Sequence, residues 1–168
     1  MNKLLIGWAS RDVSTEKPIN IPGQFHMRIS QGIMDPITLT TLVIDNGDDS
    51  VIFLSLDLVS IRAGLVDQIR SKVKAMNPEI PVLKILMNAT HTHTGPSHLK
   101  GNGNLWSTGA SSAKTDSVLH NGVDIASSDE YRDYLSSQAA EAICEAYQKR
   151  SPGAVGYGYG YAVVGHSR

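Results

Sequence analysis

Apolar and polar positions along the chain fall into two periods. Residues 3–9 carry a short apolar run that reads as a first strand, followed from Ser10 to Met34 by polar sequence broken by Pro18, Pro22 and Gly23. Ile37 to Asp45 and Val51 to Asp57 are β-rich runs. The Asn46-Gly47-Asp48-Asp49 stretch between them is a strong hairpin signal. The period then changes to helical: Ile61, Leu65, Ile69 and Val73 recur every four residues, giving one apolar face. Pro78 and Pro81 end that helix and lead into Val82–Met87, an apolar run that reads as a buried strand. Residues 97–128 are rich in Gly, Ser and Asn without sustained period, a long polar loop of the sort that covers functional sites or lacks fixed structure. Ser127 with Glu130 three positions on is a capping-box pattern, opening a helix through Tyr131, Leu135, Ala139, Ile143 and Tyr147 that stops at Ser151-Pro152-Gly153. Val155 to Val164 alternates glycine with Tyr157, Tyr159 and Tyr161, which predicts a last strand. The order β, β-hairpin, α, β, loop, α, β predicts an α/β layered structure with a mixed sheet.

Length and composition narrow the function classes. The 168 residues suit one domain, 1–168, with enough chain for a real core. With 41% hydrophobic and 18% charged residues the chain is globular, which excludes a disordered chain. A formal charge of −1 removes the electrostatic case for nucleic acid or an anionic membrane surface. Cys144 is the single cysteine, so no intrachain disulfide and no cysteine metal cage can form; within a helical pattern it reads as a small buried hydrophobe. No apolar run reaches transmembrane length, and Met1–Ile6 has no cleavage-type continuation. The compartment is left open.

The chemistry concentrates in Asn88-Ala89-Thr90-His91-Thr92-His93-Thr94-Gly95-Pro96, directly after the apolar run. Strand side chains two apart share a face, so a persisting extended backbone would project His91 and His93 together, with Gly95-Pro96 stopping the strand. Two imidazoles side by side at a strand end can bind a divalent metal, or divide the work between ligand and proton carrier. The bland alternative is a pair of polar residues at a sheet edge, satisfied by water or backbone. The pairing and its place favour function.

Thr90-His91-Thr92-His93-Thr94-Gly95-Pro96 resembles the Thr-His-Thr-His-Ser-Gly-Pro signature of the neutral/alkaline (non-lysosomal) ceramidases and their bacterial relatives, with Thr94 standing for the usual Ser. Ile6-Gly7-Trp8-Ala9 to Arg11-Asp12-Val13-Ser14 is similar to the opening strand and turn of that family. Asp35-Pro36-Ile37-Thr38-Leu39 and Phe53-Leu54-Ser55-Leu56-Asp57-Leu58 resemble its next two strands. Gly165-His166-Ser167-Arg168 resembles a later Asn-Arg element, with Ser167 where the family often has Asn. Only the His-Thr-His stretch is specific, and the sequence after Pro96 departs from the family.

The resemblance implies a Zn2+-dependent amidohydrolase that cleaves an N-acyl amide, ceramide or a related amide, by metal-activated water. It implies that His91 is a zinc ligand, that His93 is a neighbouring histidine supporting the reaction, and that Arg168 offsets charge at the scissile carbonyl. The remaining family ligands, a further His, a Glu and a Tyr, match no position here. The chain is therefore expected to be the amino-terminal part of a larger α/β catalytic domain, inactive by itself. As such it would hold zinc weakly and expose apolar surface favouring self-association. Family members are often secreted or membrane-associated. Two other classes stay open: a non-catalytic relative binding a polar ligand or a partner, and a hydrolase of a non-lipid amide.

The other candidates read as structural. His166 has no family counterpart, and His26, His98 and His120 lie in polar loop-like sequence where surface positions are expected. Asp57 ends a strand, where functional carboxylates occur, but ranks first as a cap for the helix near Ile61; Asp35 before Pro36 reads as a turn residue. Gly156–Gly160 and Gly101-Asn102-Gly103 lack the strand-to-helix switch of a phosphate loop, and Asn88-Ala89-Thr90 is a poor glycosylation acceptor beside a buried strand.

Overall fold

The computed structural model describes residues 4–24, 28–99, 119–120 and 123–165. Strand β1 (Leu4–Asp12) pairs antiparallel with β2 (Thr38–Asp45), which turns into β3 (Ser50–Leu56). The turn is built by the predicted residues. Asn46 Oδ1 accepts from the N–H groups of Asp48 (2.9 Å) and Asp49 (2.8 Å), and Gly47 adopts φ 88°, a conformation glycine enters without a Cβ penalty. Helix α1 (Ala63–Met76) then crosses over to β4 (Ile85–Ala89), parallel to β3. After the two-residue strands β5 (Leu119–His120) and β6 (Val123–Asp124), helix α2 (Ser128–Gln148) leads to β7 (Ser151–Gly153), which pairs with the start of β1. The main sheet runs β4-β3-β2-β1-β7 and is mixed, so the fold is α/β with a layered mixed sheet, as expected.

Strand alternation explains the core. Ala9, Leu39, Val43, Ile52, Leu54, Leu56 and Ile85 point to one face and join Leu65, Ile69 and Val73 of α1 with Leu135, Ala139 and Ile143 of α2 in a single cluster. A fully buried Leu, Ile or Val stabilises by about 1.5–3 kcal/mol; α1 buries Leu65, Ile69 and Val73 of its predicted face, while Ile61 lies before its first turn. Helix α2 is capped as read: Ser127 Oγ accepts from the Glu130 N–H at 3.0 Å. Its small residues let it lie close on β1, where Gly7 faces the Ala146 carbonyl so tightly that a Cβ would meet it at 2.0 Å. Cys144 is buried, and burial pushes its thiol pKa up, which fits an inert packing role. On the opposite sheet face Trp8, Leu42, Phe53 and Leu86 stand in one cross-strand row, and Trp8, Phe53 and Leu86 are exposed.

Three readings need correction. The strand expected over Val82–Met87 begins only at Ile85, because Val82–Lys84 forms a 3-10 turn closed by the Lys84 N–H to the Pro81 carbonyl at 2.8 Å. The strand expected over Val155–Val164 does not form. Tyr157, Tyr159 and Tyr161 are exposed in irregular backbone, and no described strand pairs with the segment to take up its N–H and C=O groups. Asp57 does not cap α1, whose N-cap is Arg62 with no side-chain hydrogen bond. The expected loop over 97–128 is only partly described, and Ser97 and His98 at its start are buried. No helix among the described residues is long and apolar enough to cross a membrane.

Candidate functional site

The paired histidines meet, but by a route other than an extended strand. β4 ends at Ala89, and His91 takes a left-handed backbone with φ 64°. Such a conformation costs a non-glycine residue about 1–3 kcal/mol and persists only where surroundings over-determine it. Here the continuation of β3 does so. The Thr90 N–H donates to the Leu56 carbonyl and the His91 N–H to the Leu58 carbonyl, each at 3.0 Å. His91 Nδ1 lies 2.6 Å from the Val59 carbonyl. A carbonyl only accepts, so Nδ1 carries the proton, and in the neutral ring Nε2 is left as a bare lone pair.

His93 turns back on its partner. Its Nε2 lies 3.4 Å from His91 Nε2, with the rings edge-on and their centroids 5.0 Å apart. The segment before β2 holds it there. Arg28 donates to the carbonyls of His93 and Pro22, and the Ser97 N–H donates to the Asn20 carbonyl at 2.9 Å. Gly23, at φ 105°, lies flat against the His93 ring, where a Cβ would sit 2.7 Å from the ring carbon Cγ. Thr92 Oγ1 and Thr94 Oγ1 bond each other at 2.7 Å and close the turn.

Whether this donor set fits a metal can be judged from the two rings. Metal-bound histidines characteristically donate their other ring N–H to a carbonyl or carboxylate, and His91 does so through Val59. Two nitrogens bound to one tetrahedral zinc lie about 3.3–3.4 Å apart, given Zn–N distances of about 2.0–2.1 Å. The observed separation meets that requirement. Among the described residues no group of three or more His, Cys, Asp and Glu side chains could complete a site. The spacing thus admits a divalent cation on His91 with His93 beside it, and further donors would be needed.

A cleft of about 550 Å3 abuts the motif on its threonine side. Thr92, Thr94 and Asp57 supply polar edge, and Ile19, Ile21, Ile37 and Pro96 supply apolar wall. Asp57 is bound on both sides, by Thr38 and by Thr90. Burial raises its carboxyl pKa, but the hydrogen bonds from Thr38 and Thr90 outweigh this and hold it below the usual carboxylate range.

The remaining candidates scatter. Arg168 and His166 lie outside the described residues, as does His26. His120 falls in β5, which pairs only with β6 in a separate two-stranded sheet among the described residues. His98 is not the surface residue expected: it is 2% exposed, with no hydrogen-bond partner for Nε2 among the described residues, and burial followed by the charges of Arg132 and Arg62 lowers its pKa to about 4. Asp35 is exposed at a bend on the cleft margin, in keeping with a turn residue. Arg28 carried no sequence signal and Gly23 only the left-handed preference of glycine, while Thr38 and Thr90 lie in the segments that resemble the family without any sign there that they bind Asp57.

No family model and no curated protein sequence matches this chain. Its backbone does match solved structures. The chain shares the fold of part of a neutral ceramidase. The structure of neutral ceramidase from Pseudomonas aeruginosa superposes with a TM-score of 0.66 at 16% identity, covering 91% of this chain and 23% of that one. A ceramidase complexed with C2 gives 0.64 at 16% identity, covering 91% and 22%. At that identity the likeness establishes the fold alone, and this chain spans less than a quarter of the length of those ceramidases.

Proposed function

We propose that this chain forms part of a metal-dependent hydrolase of N-acyl amides, with zinc as the metal and ceramide or a related amide as the substrate. The observation that carries the reading is the His91–His93 pair: one ring anchored through Nδ1, with its free Nε2 turned to a second imidazole. The ceramidase-like fold supports the same reaction class. When bound, the ion supplies a Lewis acid that makes water nucleophilic near neutral pH.

The chain's own residues divide the remaining work. His91 is the metal ligand, because its ring is oriented by the Val59 carbonyl and its Nε2 lone pair faces His93. Among the described residues His93 has no such backbone anchor for its ring; it serves as the proton carrier, or steadies negative charge on the carbonyl oxygen under attack. Arg168 is proposed to offset that charge. The apolar wall formed by Ile19, Ile21 and Ile37 suits an acyl group beside the reacting centre. Turnover of a panel of N-acyl amides of increasing chain length tests the reading. Hydrolysis by the larger protein of which this chain is part, abolished by a chelator and restored by zinc, is expected, with longer chains preferred. Turnover indifferent to chelator would overturn it.

A second reading rests on the polar, glycine-rich sequence after Pro96, which departs from the family: a non-catalytic relative that uses the scaffold to bind a polar ligand or a partner. Chelator-sensitive turnover of any member of the panel excludes it.

A further inference from the structure

Four consecutive residues at the end of β3 act on the two residues that begin the motif. The Leu56 carbonyl accepts from the Thr90 N–H, Asp57 Oδ1 from the Thr90 hydroxyl, the Leu58 carbonyl from the His91 N–H, and the Val59 carbonyl from His91 Nδ1. Three of these acceptors are main-chain atoms that any sequence would offer. Asp57 is the exception.

Its carboxylate is itself fixed. Oδ2 accepts from the Thr38 N–H at 3.0 Å and the Thr38 hydroxyl at 2.7 Å, at the first residue of β2. The Asp57 N–H donates back to the Thr38 carbonyl at 3.0 Å. Oδ1 then reaches Thr90 at 3.0 Å. Gly95 presses on the same residue from the far end of the turn, where a Cβ would come within 2.3 Å of the Asp57 carbonyl oxygen. The turn bearing both histidines is therefore clamped against one residue at its start and its end.

We propose that Asp57 is a positioning residue for His91. Through Thr90 it holds the left-handed turn that seats His91 Nδ1 on the Val59 carbonyl and so keeps Nε2 unprotonated and turned to His93. The consequence for metal binding rests on the reading of His91 as a ligand. The consequence for the ring's tautomer does not.

Imidazole nitrogen NMR of the labelled protein, recorded well above the ordinary histidine titration range, reads the tautomer directly. The parent protein is expected to show His91 as the Nδ1–H form. Thr90→Val, which removes the hydroxyl at nearly constant shape, and Asp57→Asn should each give a mixture of tautomers, whereas Thr90→Ser should keep the parent spectrum. Zinc titration of the same proteins should show affinity lower by about 10- to 100-fold for Thr90→Val and unchanged for Thr90→Ser, the range typical of lost outer-sphere support. Should Asp57→Asn fail to fold, Thr90→Val carries the test. A pure Nδ1–H form retained in folded Thr90→Val would overturn the positioning role. A changed tautomer with no zinc binding in any protein would support that role and sink the metal reading instead.

Discussion

Replacing Gly95 by alanine tests how tightly the motif is pressed onto the sheet. Gly95 is buried, and it is not among the glycines with positive φ, so alanine meets no backbone penalty there. The cost is purely steric. An added Cβ would lie 2.3 Å from the Asp57 carbonyl oxygen, whereas real contacts begin near 3.0 Å, so the turn must retreat by at least 0.7 Å (3.0 − 2.3) from main chain that cannot rotate away. Overpacking of this kind costs about 1–3 kcal/mol. For a chain of this size that lowers Tm by about 2–12 °C, taking roughly 2–4 °C per kcal/mol. The retreat also carries the histidines, and a displacement near 1 Å at a reacting centre costs about 100-fold in rate. Thermal unfolding followed by circular dichroism, together with the rate on any amide the protein hydrolyses, measures both effects. Gly64→Ala is the control: nothing lies within 4 Å of its Cβ, and it sits inside α1. It should be neutral, or stabilising by up to about 1 kcal/mol. A Gly95→Ala protein with parent Tm and parent rate would refute the close clamping of the turn.

Gly23→Ala places a Cβ 2.7 Å from the His93 ring at a φ of 105°, so it should lower activity sharply by displacing His93, with a stability loss of about 1–3 kcal/mol in denaturant titration. His98 has its pKa lowered to about 4 by burial and by the charges of Arg132 and Arg62. The unfolded chain then binds more protons between about pH 4 and 6.5, so stability falls as pH drops through that window, by about 3 kcal/mol in all. His98→Gln should flatten that part of the profile, and an unchanged profile would show that His98 is not its source. Tyr131 is buried and donates to the Val13 carbonyl at 2.9 Å, so Tyr131→Phe should cost about 0.5–1.5 kcal/mol of unfolding free energy without affecting zinc binding.

What could be read from the chain alone was what local chemistry decides. Asn46-Gly47 specifies its turn through its own side chain and its own φ, and Ser127 caps α2 through an atom three residues away. The four-residue repeat from Leu65 to Val73 marks a buried face because a helix brings those positions together unaided. The histidine pair was visible for the same reason. Its real geometry was not, since the left-handed turn at His91 is imposed by Leu56, Leu58 and Val59, more than thirty residues earlier in the chain. The cap expected at Asp57 does not form because its partners, Thr38 and Thr90, lie on two other segments. The Tyr-Gly alternation from Val155 reports a strand-compatible pattern, but a strand exists only where a neighbour receives it. His98 looked exposed because its surroundings in sequence are polar; its burial comes from the fold.

Calorimetric titration of zinc into the parent protein, His91→Ala and His93→Ala tests the assignment of His91 most directly. Zinc should bind the parent protein at one site, His91→Ala should lose at least about tenfold in affinity because a committed donor is gone, and His93→Ala should lose less. Binding that survives His91→Ala unchanged would contradict the assignment of His91 as the metal ligand.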